Sequence, residues 1–436
     1  MFSLKTVIYG ITDTTETVKS LLASQAELIF ASTNGDEVYQ HEVVSLEDLS
    51  KMDRSLIDRI IICSQHVNEI TNDLLRHNFE LDNIYFFNHH DNSITNCSAL
   101  KLETIKSATT LYAIYDMDIN IPSYDVFTFI VLAEQKRIDL GLAHIHFVVV
   151  PANSSCENDF SMNVLYDSDD FGWRMKNLVI PAFSCLPSCK GYSKLAFRQE
   201  ITPLLQNKIN LFPACYSLTK PKPVNNIPDY RNYVNAGRNL AVLKAPTIAA
   251  KLVTQFLKTV NSQNKKLVVI VLRELQGQKV RNNNIDEWAR FSRSLDREHY
   301  SVLVLRDSYN MFPPLDETRF GQCSTFPLAS NDVTIRVALY EKSYIVMGVS
   351  SGALYPAYFI KGAKAIKFQF LTEHNPTTTL NNTLKIGLEP NKAPFFVTNK
   401  YQKLIWKSDS SDNIKKAFNE LVTDIESTFD VECREQ

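Results

Sequence analysis

The run Lys266-Leu-Val-Val-Ile-Val-Leu272 is apolar at every position after its first residue and reads as a buried strand. The same rhythm continues downstream. Ile285 to Leu295 has helical spacing, Ser301–Leu305 is a strand, and Val333 to Glu341 is a helix. Tyr344–Gly348 is a strand opening into Val349-Ser-Ser-Gly352 and a further helix, and Ala365–Phe370 is the last strand. Strands that alternate with helices imply a parallel sheet. The final helix, capped by Ser411 or Asp412, sets Ile414, Phe418, Leu421, Val422 and Ile425 on one stripe.

Two further units precede this one. Lys5–Tyr9, Ala26–Ala31, Asp58–Cys63 and Asn83–Phe87 read as strands, with helical patterns at Val18–Leu22 and Ile70–Leu75. A dinucleotide site would need a glycine-rich turn after the first strand, but the turn is Gly10-Ile-Thr-Asp-Thr-Thr, with one glycine. Asp36-Glu37 could stand in for a ribose-binding acid, although solvated loops carry such pairs commonly. This N-terminal stretch is expected to be a separable module without a phosphate loop. Thr110–Tyr115 opens the next unit, followed by a helix with Phe127, Ile130, Val131, Glu134 and Ile138 on one face, then the strand Ile145–Val150. Residues 151–220 read as a long irregular stretch, the kind that carries a binding surface or a lid. The prolines of Pro221–Pro228 mark a linker. The expected division is 1–100, 108–225, a linker and helix over 226–264, 265–406, and a terminal helix over 407–436. The fold class is therefore α/β, a small Rossmann-like domain followed by two more.

Composition excludes several classes. A chain of 436 residues is too long for one ordinary core. No apolar run reaches the roughly 18–20 residues that cross a bilayer, and no apolar leader follows Lys5, so a cytoplasmic protein without a transmembrane segment is expected. Net charge is −2 and no block of like charges stands out, which argues against nucleic acid as a partner. The eight cysteines have no disulfide-framework spacing, and Cys185-Leu-Pro-Ser-Cys189 lacks the companions of a zinc site. His144 and His146 flank a buried strand and read as core or edge residues.

Ligands of an open parallel sheet bind beyond the carboxyl ends of its strands. The first strand of the third unit releases Arg273-Glu274, followed by Arg281-Asn282 and two more asparagines before a helix. The second releases Arg306-Asp307, and the third releases Ser350-Ser351-Gly352 at a helix start. Arginines fork onto phosphate oxygens, and free N–H groups at a helix start favour an anion, so this set suits a diphosphate. Surface ion pairing and simple capping would explain each residue singly.

These residues, with Val-Val-Ile-Val-Leu-Arg-Glu, Arg-Asn-Asn-Asn…Trp and Leu-Arg-Asp in that order, resemble the donor domain of bacterial polysaccharide glycosyltransferases of the two-Rossmann-domain (GT-B) kind. The chain is distantly similar to heptosyltransferases and O-fucosyltransferases over about residues 110–430. The turn Val349-Ser-Ser-Gly-Ala-Leu-Tyr-Pro356 and the segment Tyr401–Trp406 carry the likeness further, although the family's second glycine or proline after the turn is absent. The resemblance implies a nucleotide-sugar donor as substrate, a glycan or glycolipid acceptor, and no cofactor or metal. It leaves room for peripheral membrane contact and for homo-oligomerisation through the N-terminal module. Related enzymes place a base after the first strand of the acceptor side, which here points to Asp116, with Asp118 second. The same Asp-Met-Asp could instead be a DxD metal site, with Asp167-Ser-Asp-Asp170 in support. A fold that has kept sugar binding and lost activity, and pyruvyl transfer to polysaccharide, remain open alternatives.

Overall fold

The computed structural model describes residues 4–22, 27–35, 42–64, 66–88, 92–99, 109–152, 168–206, 210–223, 227–313, 315–373, 375 and 377–432. Asp36-Glu37 and Asp167 lie outside the described residues. Two compact units emerge. One comprises residues 1–107 with 150–152 and 193–209; the other holds 108–149, 153–192 and 210–436.

The first unit is built on β1 (Lys5–Tyr9), β2 (Glu27–Ser32), β3 (Val43–Ser45), β4 (Ile57–Ile62), β5 (Ile84–Asn88) and β6 (Ser93–Asn96), in the order β3-β2-β1-β4-β5-β6. All are parallel except β6, which runs antiparallel to β5. Helices α1 (Thr15–Leu21), α2 (Leu46–Lys51) and α3 (Val67–Arg76) connect them. The order is that of a Rossmann sheet, whose ligand crevice lies between β1 and β4. Here that crevice is filled from within. The Thr12 hydroxyl donates to the Cys63 carbonyl at 2.9 Å, Thr14 does so at 3.3 Å, and a Cβ on Gly10 would stand 2.9 Å from Ser64 Cβ. Strand β6 extends the sheet beyond Asn83–Phe87, the last strand of this stretch read from the sequence. Its asparagine and serine residues gave no apolar signal; the hairpin is held by the ladder Tyr85↔Asn96 to Asn88↔Ser93. The segment 193–209, expected in the middle domain, groups with this unit, and the Arg198 guanidinium donates to the Pro151 carbonyl at 2.7 Å.

The second unit contains two sheets. The smaller is β7 (Thr110–Asp116), β8 (His144–Val150), β9 (Cys189–Lys194) and β10 (Leu211–Phe212), in the order β10-β7-β8-β9. Between β7 and β8 runs α4 (Val126–Asp139), which is buried nearly all round, so the single apolar face expected of it was too narrow. The expected irregular stretch holds α5 (Ser168–Arg174), a π-helical turn over Met175–Val179, and strand β9. A helix α6 (Thr247–Val260) leads into the larger sheet.

That sheet is β11 (Lys266–Val271), β12 (Tyr300–Leu305), β13 (Ser324–Thr325), β14 (Ile345–Val349), β15 (Ala365–Phe368) and β16 (Gln402–Ile405), all parallel, in the order β13-β12-β11-β14-β15-β16. Its helices include α7 (Ile285–Ser294), α8 (Val333–Lys342) and α9 (Ser411–Glu432). The central strands β11 and β14 are buried at every position but Lys266, because layers of helix cover both faces of a parallel sheet. The order in which strands are added reverses between β11 and β14, β12 and β13 lying to one side and β15 and β16 to the other. A Cβ at Gly348 would lie 2.5 Å from the Val271 carbonyl oxygen, so glycine lets the two strands close at this switch point.

The fold class expected from the sequence, α/β with three Rossmann-like sheets, is the one observed.

Candidate functional site

The switch point of the larger sheet opens into a cavity of about 450 Å³ lined from both sheets of the second unit. Strand β11 ends at the wall with Arg273, strand β12 with Arg306 and Asp307, and strand β14 with Ser351 and Gly352. The smaller sheet contributes Tyr124 and Asp125 from the loop after β7, and Trp173 and Arg174 from the end of α5.

The arginines are set by neighbours. The Asn283 side chain accepts from Arg273 N at 2.6 Å and fixes the strand exit. Gln278 Oε1 accepts from Arg273 Nη2 at 2.6 Å and from Arg281 Nη1 at 3.0 Å, so one amide holds two guanidinium groups together. Arg281 also donates to Thr377 Oγ1 at 3.0 Å and to the Ser350 carbonyl at 3.3 Å.

Arg336, on α8, was not singled out in the sequence. It is 3% exposed, its Nη1 donates to the Tyr340 hydroxyl at 3.3 Å, and its guanidinium lies 5.9 Å from the Tyr124 ring centre. It makes no ion pair among the described residues, and its buried Nε has no hydrogen-bond partner among them. A guanidinium does not deprotonate in a protein, and the charge of Asp307 across the cavity acts on this one without forming an ion pair, so an anion entering the cavity would complete its compensation. One signal in the sequence could have marked it: an arginine within Val333-Thr-Ile-Arg-Val-Ala-Leu, an otherwise apolar helix turn.

Other expected residues have different surroundings. Glu274 forms a two-pronged ion pair with Arg306, at 2.6 and 3.0 Å, and does not line the cavity. Asn282 closes its own loop, exchanging hydrogen bonds with Leu275 N and O at 3.1 and 3.0 Å. Asp307 lines the wall and caps a short 3₁₀ turn through Ser308 N at 2.9 Å. The Ser350 amide bonds the Phe368 carbonyl at 2.7 Å, while the buried Ser351 hydroxyl has no partner among the described residues. The helix expected after Gly352 is a 3₁₀ helix, Gly352–Phe359, with Pro356 inside it removing an N–H donor.

Asp116 and Asp118 do not line the cavity. Asp116 is fully buried, and its carboxylate accepts from the Tyr216 hydroxyl at 2.5 Å and from Asp118 N at 2.9 Å. It ties down the strand end. Among the described residues no three His, Cys, Asp or Glu side chains are grouped as metal ligands, so the DxD pair has no third donor. The carboxylate that does face the cavity is Asp125. It is open to the cavity while protein walls its other sides, and this burial raises its pKa above the usual carboxylate range. The Ser123 hydroxyl, 3.0 Å away, and the charges of Lys367 and Arg281 pull it back down. Lys367, at the end of β15, is pushed down to about 8, first by burial and then by Arg281, against the pull of Asp125.

Two Rossmann-like sheets sharing one cavity, with Arg273, Arg281, Arg306 and Arg336 on the C-terminal side, constitute the GT-B arrangement within this unit. Solved structures similar to the chain include the glycosyl transferase family 9 protein of Veillonella parvula DSM 2008 (10% identity, 75% of this chain and 99% of that one, TM-score 0.36). They also include the E. coli ADP-heptose lipopolysaccharide heptosyltransferase II (8%, 97% and 100%, 0.33) and a UDP-N-acetylglucosamine 2-epimerase of Neisseria meningitidis bound to UDP-GlcNAc (10%, 97% and 92%, 0.27). No family model and no curated protein sequence matches the chain.

Proposed function

We propose that the chain is a glycosyltransferase that grips a nucleotide-diphosphate sugar by its diphosphate and passes the sugar to a glycan or glycolipid hydroxyl in surface-polysaccharide assembly. Arg336 carries the reading: a buried guanidinium that makes no ion pair among the described residues, in a wall shared with Arg273 and Arg281, calls for an anionic ligand. Five arginines line the wall (174, 273, 281, 306 and 336) against Asp125, Asp307 and the Glu274 paired to Arg306. The lining therefore carries an excess of positive charge, which suits an anionic ligand such as an esterified diphosphate.

In the reaction the acceptor oxygen bonds to the anomeric carbon as the bond from that carbon to the diphosphate breaks. Asp125 takes the acceptor proton, and burial, by raising its pKa, makes it a stronger base than a solvated carboxylate. The arginines stabilise charge developing on the departing diphosphate without moving, since their neighbours already hold them. The test is calorimetric titration of the intact chain with a panel of nucleoside diphosphates. At least one should bind, and Arg273→Ala should weaken it by about 10- to 100-fold. Equal affinity in the variant, or no ligand in the panel, overturns the assignment.

A further inference from the structure

We propose that the exposed face of α6 docks the chain onto an anionic lipid surface, a role independent of the glycosyltransferase reading. Between Asp229 and Glu274 lie 44 consecutive residues with no Asp or Glu, where the chain's average density would place about five. The same stretch holds eight cations, and Lys244, Lys251, Lys258 and Lys265 recur at intervals of seven.

The helix fixes how these residues are displayed. Ala249 and Val253 are buried, and Phe256 stacks on Phe326 with ring centres 3.8 Å apart. The other side carries Ile248, Lys251, Leu252, Gln255 and Lys258, a spacing that forms one stripe. Ile248 is 65% exposed and Leu252 39%, adjacent turns of apolar surface between lysines. Lys244, just before the helix, is exposed as well.

Other cations of the stretch are engaged: Arg238 pairs with Asp139 at 2.8 Å and Lys266 with Glu426 at 2.6 Å. Lys244, Lys251 and Lys258 make no ion pair among the described residues. Glu341, the acid at the helix start, accepts from Ala245 N at 2.6 Å. The stripe therefore offers positive charge and hydrocarbon together. A bilayer with anionic headgroups meets both, with lysine stems lying along the interface and Ile248 and Leu252 entering it. Nucleic acid would meet only the charge. No helix among the described residues is long and apolar enough to cross a membrane, so the contact is peripheral.

The experiment is co-sedimentation of the intact chain with phosphatidylcholine vesicles, with and without about one-third phosphatidylglycerol, at low and physiological salt. Binding should require phosphatidylglycerol and weaken with salt. The double variant K251Q/K258Q should lose about fivefold in partition per lysine, K251R/K258R should retain binding, and I248S/L252S should bind less. All three change exposed side chains, and unchanged melting temperatures would show the fold intact. Equal binding by wild type and K251Q/K258Q, equal binding to both vesicle types, or binding to heparin and DNA with none to vesicles would each overturn the proposal.

Discussion

Gly352 and Tyr124 meet so closely that a Cβ on the glycine would stand 2.8 Å from the Cβ of the tyrosine. The start of the 3₁₀ helix after β14 thus packs on the loop that presents Asp125, and glycine permits the approach. Gly352→Ala must push the loop away, at about 1–3 kcal/mol of stability. Turnover should fall by more than that loss accounts for, because a shift of about 1 Å in a reacting group can cost roughly 100-fold. Thermal unfolding and steady-state kinetics on one preparation test this; normal turnover would remove Tyr124 and Asp125 from the working geometry.

Asp125 and Asp116 separate by role. Asp125→Asn should lower kcat by about 10²- to 10⁴-fold while donor affinity and stability hold. Asp116→Asn leaves the Tyr216 hydroxyl and Asp118 amide facing a poorer acceptor, so its effect should be on stability, on the order of 1–3 kcal/mol. If the two variants exchange these phenotypes, the base is Asp116 as read from the sequence.

Arg336→Met removes a buried charge that makes no ion pair among the described residues and keeps much of its volume. The ligand-free variant should unfold at a temperature no lower than wild type, because an apolar side chain often serves as well as a buried ion. Nucleoside diphosphate affinity should nevertheless drop by about 10- to 100-fold. A marked loss of stability with affinity intact would make Arg336 a structural residue.

Lys367 gives a pH signature. Its folded pKa, about 8, lies below the ordinary lysine value of 10.5, so between these pH values the unfolded chain holds a proton that the folded chain lacks. Stability attributable to this residue therefore rises with pH across that window. Below pH 8 the charged form is penalised in full, by about 3 kcal/mol. Lys367→Met should be more stable than wild type at pH 7, and the gap should close as pH climbs from 8 to 10.5. A constant gap would place the ammonium in ordinary solvent.

Turnover should persist in excess EDTA, since the proposed donor contacts are guanidinium groups. Activity lost with EDTA and restored by Mg²⁺ or Mn²⁺ would return Asp116 and Asp118 to a metal site.

Periodicity made the sheets legible because buried parallel strands are nearly all apolar: Lys266–Leu272 and Ser301–Leu305 were located to within a residue of the strands observed. It failed at β6, whose Ser-Ile-Thr-Asn gains its place from pairing rather than composition. At the cavity, the strand-end rule led to Arg273, Arg281, Asp307, Ser351 and Gly352 because chain direction dictates where strand exits gather. It could not lead to Arg336 or Asp125, which arrive from a helix interior and a helix cap. The lysine stripe of α6 was hidden for another reason. Its signal is a long absence of acids, and no local block of charge announces it.

The interleaving of the first unit bears on how this chain is made and inherited. Leu195, Phe197, Ile201 and Leu204, in the segment that groups with residues 1–107, are 5% exposed or less. On the ribosome the unit must wait for about 100 further residues, roughly 5–20 s at ordinary elongation rates, before its last piece emerges. A gene fusion or deletion that breaks at residue 107 would strip this apolar segment of its partners, so the first unit cannot be gained, lost or exchanged in a single cut.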